Sequence, residues 1–311
     1  MKPENKSEPI FGVIGDHGSK IAIRFIRFIL ILGVRFYLSV SALFLLAVFG
    51  SGALHKGSGK YRLVWADEFN YTGLPDSAKW NYDTGGHGWG NQELQYYTKN
   101  RKENAGVEKG RLVIEARKEN REGMNYTSAR LVTKGKADPI DFGVSSVGRY
   151  GWQYGKIEVR AKLPSGRGTW PAIWMLGATT PLKWPDDGEI DIMEHVGHHP
   201  GIVHASVHCK KYYHSIGTQK TATVPVPDCS QKFHVYAAEW DSDSIKVSVD
   251  GKVYFRFGNE HTGYEAWPFD NKMYLLLNIA VGGSWGGQQG VDDSVFPQKM
   301  EVDYVRVYQK R

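Results

Sequence analysis

The segment KIEVRAKL, residues 156–163, determines the fold class, because its four charged residues alternate with four apolar ones. Such alternation buries one face of a β-strand and leaves the other face in water. The pattern returns in residues 245–255, where Asp250-Gly251 predicts a hairpin turn. Further runs of strand character are residues 112–116, 172–176, 190–196, 203–208, 233–240, 274–281 and 302–308. No amphipathic helix of three turns separates them, so the sequence predicts an antiparallel β-sandwich or barrel in one domain.

The composition agrees with a β-rich globular protein. The 311 residues include 10 Trp, 17 Tyr, 13 Phe and 36 Gly, which favours many turns and a surface that stacks flat ligands. Two cysteines cannot form a disulfide framework, so a hydrophobic core must hold the fold. The net charge of +6 includes no basic run of the kind that binds phosphates, which argues against nucleic acid as a partner.

The first 53 residues have the order of a targeting segment. Residues 36–50 form an apolar stretch, three arginines precede it, and small residues up to Ala53 follow it. This order is typical of a secretory signal peptide cut after Ala53, and an uncleaved signal anchor is the alternative. In either case residues 54–311 leave the cytoplasm. We therefore expect an exported protein, secreted or periplasmic, whose only membrane contact would be an uncleaved segment 1–53.

Export bears on the two cysteines, Cys209 and Cys229, which lie 20 residues apart. They are either two separate buried thiols or a disulfide that closes the loop between them. An oxidising compartment favours the disulfide.

Three acidic residues are interleaved with apolar ones in WPDDGEIDIMEH, residues 184–195. Strand parity places Glu189 and Asp191 on one face, whereas Glu194, five residues after Glu189, would point into the core. Burying a single carboxylate there would be costly. A β-bulge near Ile192-Met193 would return Glu194 to the face of the other two acids.

Grouped in this way, the three acids have the chemistry of a retaining glycosidase. Such enzymes use one carboxylate as nucleophile and one protonated carboxyl group as acid. Three neighbouring acids cannot all ionise cheaply, so at least one pKa should rise. The alternative is an exposed polar face on an edge strand, with or without a bound cation. Six tryptophans that flank the acids in sequence favour the sugar site, because flat apolar rings stack on sugars.

Seven other segments accompany the acidic signature WPDDGEIDIMEHVG, residues 184–197. They are WADEF (65–69), NQELQYYT (91–98), YGKIEVR (154–160), GTWPAIWM (168–175), FHVYAAEW (233–240), NIAVGGSW (278–285) and VDYVRVY (302–308). In this order, over about residues 61–309, they resemble glycoside hydrolase family 16 in its bulged, laminarinase-like form.

The resemblance implies an all-β jelly roll of two curved antiparallel sheets with a glycan-binding cleft on the concave face, and it makes residues 54–311 the catalytic domain. By position, Glu189 is the nucleophile, Glu194 the general acid/base and Asp191 the residue that orients Glu189. Family positions that line sugar subsites or the cleft match Trp174, Trp184, Trp285, Asn91, Arg160 and His208. For Arg160 and His208 the alternatives are a surface salt bridge and a hydrogen-bonded strand histidine.

The resemblance implies no cofactor for catalysis. Many members of the family bind a structural calcium ion on the convex side, far from the acids, and the matching positions are Glu68, Gly110 and Asp303. Such a metal would stabilise the fold and take no part in the chemistry. We expect a monomer whose partner is its polysaccharide substrate.

The leading expectation is an endo-acting retaining enzyme that cleaves laminarin-type β-1,3-glucan or mixed-linkage β-1,3-1,4-glucan by double displacement. One alternative keeps the mechanism and changes the polymer to a galactan such as agar or porphyran. Another is a non-catalytic β-glucan-binding protein on the same fold, although such proteins typically lack the three acids. A transglycosylase, which passes the glycosyl group to a sugar instead of water, is also left open.

Overall fold

The described part of the chain, residues 61–134 and 151–310 of this computed structural model, consists mainly of β-strands and their connecting turns. In chain order the strands are β1 (Tyr61–Asp67), β2 (Asn81–Asp83), β3 (Gln95–Tyr97), β4 (Ala105–Glu108), β5 (Arg111–Arg121), β6 (Met124–Ser128), β7 (Arg130–Val132), β8 (Gly155–Lys162), β9 (Thr169–Gly177), β10 (Glu189–Glu194), β11 (Ile202–His208), β12 (Lys220–Pro225), β13 (His234–Trp240), β14 (Ser244–Val249), β15 (Lys252–Gly258), β16 (Met273–Val281) and β17 (Gln298–Lys310). Within these ranges the helical elements are three short 3-10 turns, Gly88–Gly90, His214–Ile216 and Asp293–Val295.

The chain divides into two units, and every described residue belongs to the second, Lys60–Arg311. The predicted targeting segment 1–53 lies outside the described residues. Among the residues that are described, no helix has the length and apolar character needed to cross a membrane.

The strands form two sheets. The ten-stranded sheet has the order β15-β14-β13-β8-β17-β5-β6-β3, with β1 added to β17 and β4 added to β5. The seven-stranded sheet has the order β12-β11-β10-β9-β16-β7-β2. Neighbouring strands are antiparallel except for β3 and β6, which pair in parallel. The predicted two-sheet jelly roll is confirmed, with this one parallel pair as a difference from the expected all-antiparallel arrangement.

The core lies between the sheets and follows the alternation of the sequence. In β8 the side chains of Ile157, Val159 and Ala161 are fully buried, while the charged residues between them are partly exposed. Ile190 and Ile192 of β10 are buried in the same core from the other sheet. Each large aliphatic side chain buried in this way stabilises the fold by about 1.5–3 kcal/mol. The polar positions of β10 therefore lie on the face that points away from the core.

Backbone conformation confirms the predicted hairpin between β14 and β15. Asp250 and Gly251 have φ angles of 49° and 77°. Two consecutive positive φ values are the requirement of a type I′ turn, whose twist matches that of the flanking strands.

Candidate active site

A bulge in β10 sets the geometry of the three acids. Asp191 lies opposite Ser206 of β11, and Glu194 lies opposite His204, so three steps along β10 match two steps along β11. The pairing with β9 shifts in the same place. Ile192 and Met193, the two residues at the bulge, are both fully buried. The predicted bulge is confirmed, and it returns Glu194 to the face that carries Glu189 and Asp191.

Glu189 is held by two neighbouring rings. The indole Nε1 of Trp184 donates a hydrogen bond to Oε2 of Glu189 at 2.9 Å. The Nε2 atom of His208, directly opposite on β11, lies 3.8 Å from Oε1. Both contacts fix the orientation of the carboxylate, as a nucleophile requires.

Asp191 is almost fully buried beside Glu189. Its Oδ2 atom lies 3.3 Å from Nε2 of His208. Burial first, then the charge of Glu189 and a hydrogen bond with it, raise the pKa of Asp191 well above its usual range. A protonated Asp191 donates that hydrogen bond to Glu189 and avoids a second negative charge next to the nucleophile.

Glu194 has the environment of a general acid. Burial raises the pKa of its carboxyl group well above the usual range, and the charges of Asp191 and Glu189 add to the effect. The indole Nε1 of Trp170 donates a hydrogen bond to Oε1 at 3.0 Å and partly opposes this rise. Glu194 therefore holds a proton at a pH where an exposed glutamate has lost it, which is what protonation of a leaving group requires.

Trp170→Phe should move the alkaline limb of the pH profile of kcat/KM to higher pH. The change keeps a ring but removes the hydrogen bond that favours charged Glu194, so the pKa of Glu194 rises further. The matched control is Trp174→Phe on the same strand, because its indole donates to Asn278 and not to an acid. An alkaline limb that does not move in Trp170→Phe, or moves equally in both variants, would contradict this role.

Most of the predicted binding residues lie around the acids. Trp174 is directly opposite Asp191, and its Nε1 donates to Oδ1 of Asn278 at 2.7 Å. Trp285 contacts Trp170 edge to face, with ring centroids 5.4 Å apart. The main-chain oxygen of Asn91 accepts a hydrogen bond from the amide of Ser284, next to Trp285. Trp184 and His208 contact Glu189 directly, and Trp285 packs on Trp170, which donates to Glu194.

The prediction for Arg160 is wrong. Arg160 lies on β8 in the ten-stranded sheet, on the outer face, where its Nη1 atom is 2.6 Å from a carboxylate oxygen of Asp303 and its guanidinium lies over Phe233. The alternating period of β8 buries its apolar residues, so Arg160 must point away from the core and from the other sheet. It therefore forms the surface salt bridge that was the alternative.

The arginine beside the cleft residues is Arg130, which the sequence analysis missed. Its guanidinium lies between Trp89 and Trp174, 4.8 Å and 4.6 Å from their ring centroids, and pairs with Asp83 at 3.0 Å. The signal in the sequence is weak, because β7 is only three residues long and shows no full alternation. Arg130 lies beside the cleft residues because β7 belongs to the seven-stranded sheet, which also contains the acidic strand β10.

A buried polar network behind Trp174 was also missed. Asn278, which accepts from Trp174, donates to the hydroxyl of Tyr97 at 3.0 Å, and this hydroxyl lies 3.2 Å from Glu93. Gln95 donates to the same carboxylate at 2.7 Å. The motif NQELQYYT contains Glu93, Gln95 and Tyr97, but the sequence analysis places only its first residue, Asn91, in the cleft. The available signal was that these three polar residues occupy alternate positions, so they lie on the same face of an extended segment.

The structure contradicts the disulfide between Cys209 and Cys229. Both thiols are free and buried. In the antiparallel pair of β11 and β12, Ile202 lies opposite Pro225 and Val207 opposite Lys220, so Cys209 and Cys229 lie beyond opposite ends of the pair. The seven residues of β11, at about 3.3 Å each, lie between the two cysteines. This separation is far larger than the roughly 7 Å that a disulfide allows between its two Cα atoms.

The three positions matched to calcium lie together on the ten-stranded sheet. Strand β1 pairs with residues 305–310 of β17 and β5 pairs with residues 298–302, so Asp303 lies at the junction next to Glu68 and Gly110. Both carboxylates are already bound by arginines. Arg306 donates to the two oxygens of Glu68 at 2.7 and 2.8 Å, and Asp303 binds Arg160. Arg306 therefore occupies both oxygens of Glu68, and Arg160 occupies one oxygen of Asp303.

Within the described residues, one group of three has ligating atoms close enough to hold a metal ion. It consists of Glu189, Asp191 and His208, whose atoms lie within 4.8 Å of one another. Two of these are the acids of the site, and burial beside Glu189 raises the pKa of Asp191, which favours its protonated form. The arrangement therefore suits proton transfer and nucleophilic attack rather than metal binding.

Two histidines near Glu194 should make the protein sensitive to acid. Burial, followed by the charges of neighbouring histidines, lowers the pKa of His195 and of His204 to about 4. The folded protein binds fewer protons than the unfolded chain, so its free energy of unfolding falls as the pH drops from about 6.5 toward 4. At a pH of about 5 the loss is about 2 kcal/mol for the buried His195 and smaller for His204, which is partly exposed to solvent.

The variant His204→Phe, which keeps a ring against Trp285, tests this. Compared with the wild type in denaturant titrations across that pH range, it should lose less stability on acidification. The control is His261→Gln, because the His261 side chain is 71% exposed. Parallel stability curves for the wild type and His204→Phe would rule out the effect.

This chain is similar to proteins of one family along most of its length. The sequence pattern described as Glycosyl hydrolases family 16 matches residues 92–306. A beta-glucanase of Rhodothermus marinus is 57% identical over 256 residues, which cover 80% of this chain and 85% of that protein. The X-ray structure of the laminarinase from Rhodothermus marinus matches with a TM-score of 0.75 at 55% identity, and the match covers 81% of this chain and 98% of that chain.

A second solved structure contains a bound sugar. It is a mutant of a non-specific endo-β-1,3(4)-glucanase of family 16, co-crystallised with 1,3-β-D-cellotriosyl-glucose and presenting 1,3-β-D-cellobiosyl-glucose at its active site. It matches with a TM-score of 0.74 at 50% identity, over 80% of this chain and 95% of that chain. Since the family pattern spans residues 92–306, with the bulged acidic strand in its middle, the chain belongs to glycosyl hydrolases family 16.

Proposed function

We propose that the protein is an endo-acting, retaining β-1,3-glucanase. The observation that carries this proposal is the bulge in β10, which brings Glu189 and Glu194 to one face with distinct surroundings. Glu189 accepts a hydrogen bond from Trp184, whereas the surroundings of Glu194 raise its pKa and favour its protonated form. Two carboxyl groups with these properties are sufficient for glycoside hydrolysis, which needs no cofactor.

In the first step, Glu194 transfers its proton to the glycosidic oxygen while Glu189 attacks the anomeric carbon. The bond from that carbon to the leaving oxygen breaks, and an ester between Glu189 and the glycosyl group forms. Protonated Asp191 donates a hydrogen bond to Glu189, which restrains the carboxylate for attack and assists its later departure. The indole of Trp184 restrains it from the other side.

In the second step, the deprotonated Glu194 takes a proton from water as the water oxygen attacks the anomeric carbon. The ester bond to Glu189 breaks, and Glu194 is again protonated for the next cycle. Two inversions at the same carbon give net retention. The buried surroundings of Glu194 favour recovery of its proton, because they disfavour its charged form.

Product analysis tests the function and the polymer together. Residues 54–311 are incubated with laminarin, mixed-linkage β-glucan, agarose and porphyran, and the released oligosaccharides are separated by size. Short β-1,3-linked oligomers from laminarin, with the β-anomer formed first in the NMR time course, are the expected result. Products from a galactan alone would show that the substrate is a galactan and not a β-glucan. Binding to insoluble glucan without any product would show that the protein is a glucan-binding protein and not an enzyme.

The calcium prediction concerns stability alone. A calcium ion would have to compete with Arg160 for the Asp303 carboxylate. Thermal melts in calcium and in a chelator test this, with Asp303→Ala as the comparison. A higher Tm in calcium that Asp303→Ala abolishes supports the site, and equal Tm values in the wild type count against it.

The proposal extends to the cellular location and the oligomeric state of the protein. We propose that segment 1–53 directs export and that residues 54–311 act as a monomer. The charge order of the segment supports export, and the three acids of the site all lie on one strand, β10, of one chain. Fractionation of cells that express the full chain distinguishes a secreted or periplasmic protein from a membrane-anchored one. Light scattering of residues 54–311 gives the oligomeric state.

A further inference from the structure

Trp184 lies in a group of aromatic rings at the Glu189 side of the active site. The ring of Tyr213 meets the indole edge to face, with centroids 5.7 Å apart and planes at 83°. The imidazole of His214 lies 5.3 Å from the indole, and that of His208 lies 6.2 Å from it. The rings of Trp184, Tyr213 and His214 therefore form a corner beside the nucleophile. We call these three residues the Trp184 corner.

The loop that supplies Tyr213 and His214 is fixed to the neighbouring segment 260–265. The amide of Lys211 donates to the main-chain oxygen of Glu265 at 2.8 Å, and its Nζ atom lies 2.7 Å from Glu260. The hydroxyl of Tyr212 donates to the same Glu260 carboxylate at 2.5 Å. These three hydrogen bonds fix the base of the loop that carries the two rings.

The loop that carries Trp184 is fixed to the same segment. One carboxylate oxygen of Asp187 accepts from the amide of Lys183 at 2.7 Å and from the hydroxyl of Thr179, and the other accepts from the hydroxyl of Tyr264 at 2.8 Å. These bonds lower the pKa of Asp187 despite its burial, so it stays charged. The two loops are thus positioned relative to each other and to Glu189.

The Trp184 corner is open to solvent, although aromatic rings gain stability from burial. Trp184 is 41% exposed, His214 is exposed and Tyr213 is half-buried. Sugar rings present apolar C–H faces that stack on such surfaces. Because the indole of Trp184 donates to Glu189, a sugar attacked by Glu189 lies next to this corner. The C–H faces of the next sugar units of the glucan would then stack on Tyr213 and His214.

We propose that Tyr213 and His214 are specificity-determining residues, which extend the Trp184 surface into an additional sugar subsite for the glucan chain. This inference rests on the proposed function, because it assigns a subsite to the same cleft. Although the side chain is exposed overall, partial desolvation of its ring and the neighbouring His208 lower the pKa of His214, which favours the neutral imidazole that suits an uncharged sugar. The loop therefore sets how many sugar units of the glucan must be bound for efficient cleavage.

A graded series of β-1,3-glucan oligosaccharides, from the trisaccharide upward, tests the subsite. In the wild type, kcat/KM should rise when the substrate becomes long enough to reach it. Tyr213→Ala and His214→Ala should remove this rise and lower kcat/KM by about 3- to 10-fold for the longer substrates only. Tyr213→Phe keeps the ring and should retain the rise.

The matched control is Ile216→Ala, since Ile216 lies in the same 3-10 turn and is 51% exposed. Circular dichroism and Tm verify that each variant is folded. An equal loss for all lengths, an equal loss in Ile216→Ala, or no loss would overturn the proposal. Wild-type protein that cuts only a galactan would contradict the proposed function, and the same comparison on a galactan series would then decide whether the subsite exists.

Discussion

Glu189→Ala should lose at least about 10⁴-fold in kcat on laminarin while keeping its fold. The variant lacks the carboxylate that forms the glycosyl ester in the proposed mechanism, so Glu194 can still protonate the leaving oxygen but Glu189 no longer attacks the anomeric carbon. Trp184 and His208 lose a partner on the outer face of the sheet, whereas the buried residues of β10 are unchanged. The measurement is the rate of reducing-end release.

Azide makes this test specific for a nucleophile. The small anion fits the space left by the carboxylate and attacks the anomeric carbon from the same side. One displacement then replaces two, and the product is an α-glycosyl azide. The control is Glu158→Ala, which removes an acid from the outer face of the other sheet, where it pairs with Lys156 at 2.6 Å. Wild-type activity in Glu189→Ala, or rescue that gives the β-azide, would show that another residue is the nucleophile.

Glu194→Gln should lose about 10²- to 10⁴-fold on laminarin and much less in the first step on aryl glycosides with good leaving groups. Glutamine retains the size of the side chain and the bond from Trp170 but has no proton to transfer. An aryl leaving group departs without protonation, so the glycosyl ester forms and then accumulates, because no base activates water. A burst of aryl release followed by slow turnover is the kinetic signature. Equal losses on both substrate types would reject the role.

The same variant should be more stable than the wild type at neutral and alkaline pH. In the wild type the folded-state pKa of Glu194 lies above the unfolded value, so stability is lost as the pH rises through that folded pKa. Glutamine carries no charge at any pH, so the variant does not lose this stability as the pH rises. Near pH 4, where the glutamate is protonated in both states, the Tm values of the two proteins should converge. A difference in stability between the two proteins that is the same at every pH would mean that Glu194 ionises normally.

The sequence predicted the acids because strand parity is a local property. Glu189 and Asp191 share a face whatever the rest of the fold does, and Glu194 needed one extra residue to join them. The bulge found at Ile192-Met193 supplies that residue. Identification of the strands succeeded for the same reason, since the alternation in β8 depends only on neighbours along the chain.

The errors came from contacts between distant segments. The sequence showed Arg160 on a polar face but gave no means to tell which sheet that face belonged to, and Arg130 on a short strand carried no signal. The disulfide was plausible by spacing alone, whereas the antiparallel register of β11 and β12 separates Cys209 from Cys229.

The sequence by itself therefore determined the fold class, the bulged acidic strand and the family, because these follow from periodicity and from order along the chain. Only the tertiary structure decided which side chains meet at the site. The proton on Glu194 depends on burial and on nearby charge, and the corner of Trp184, Tyr213 and His214 depends on two loops held by a third segment. Electrostatic and packing energies depend on distances in space, which separation along the chain does not specify.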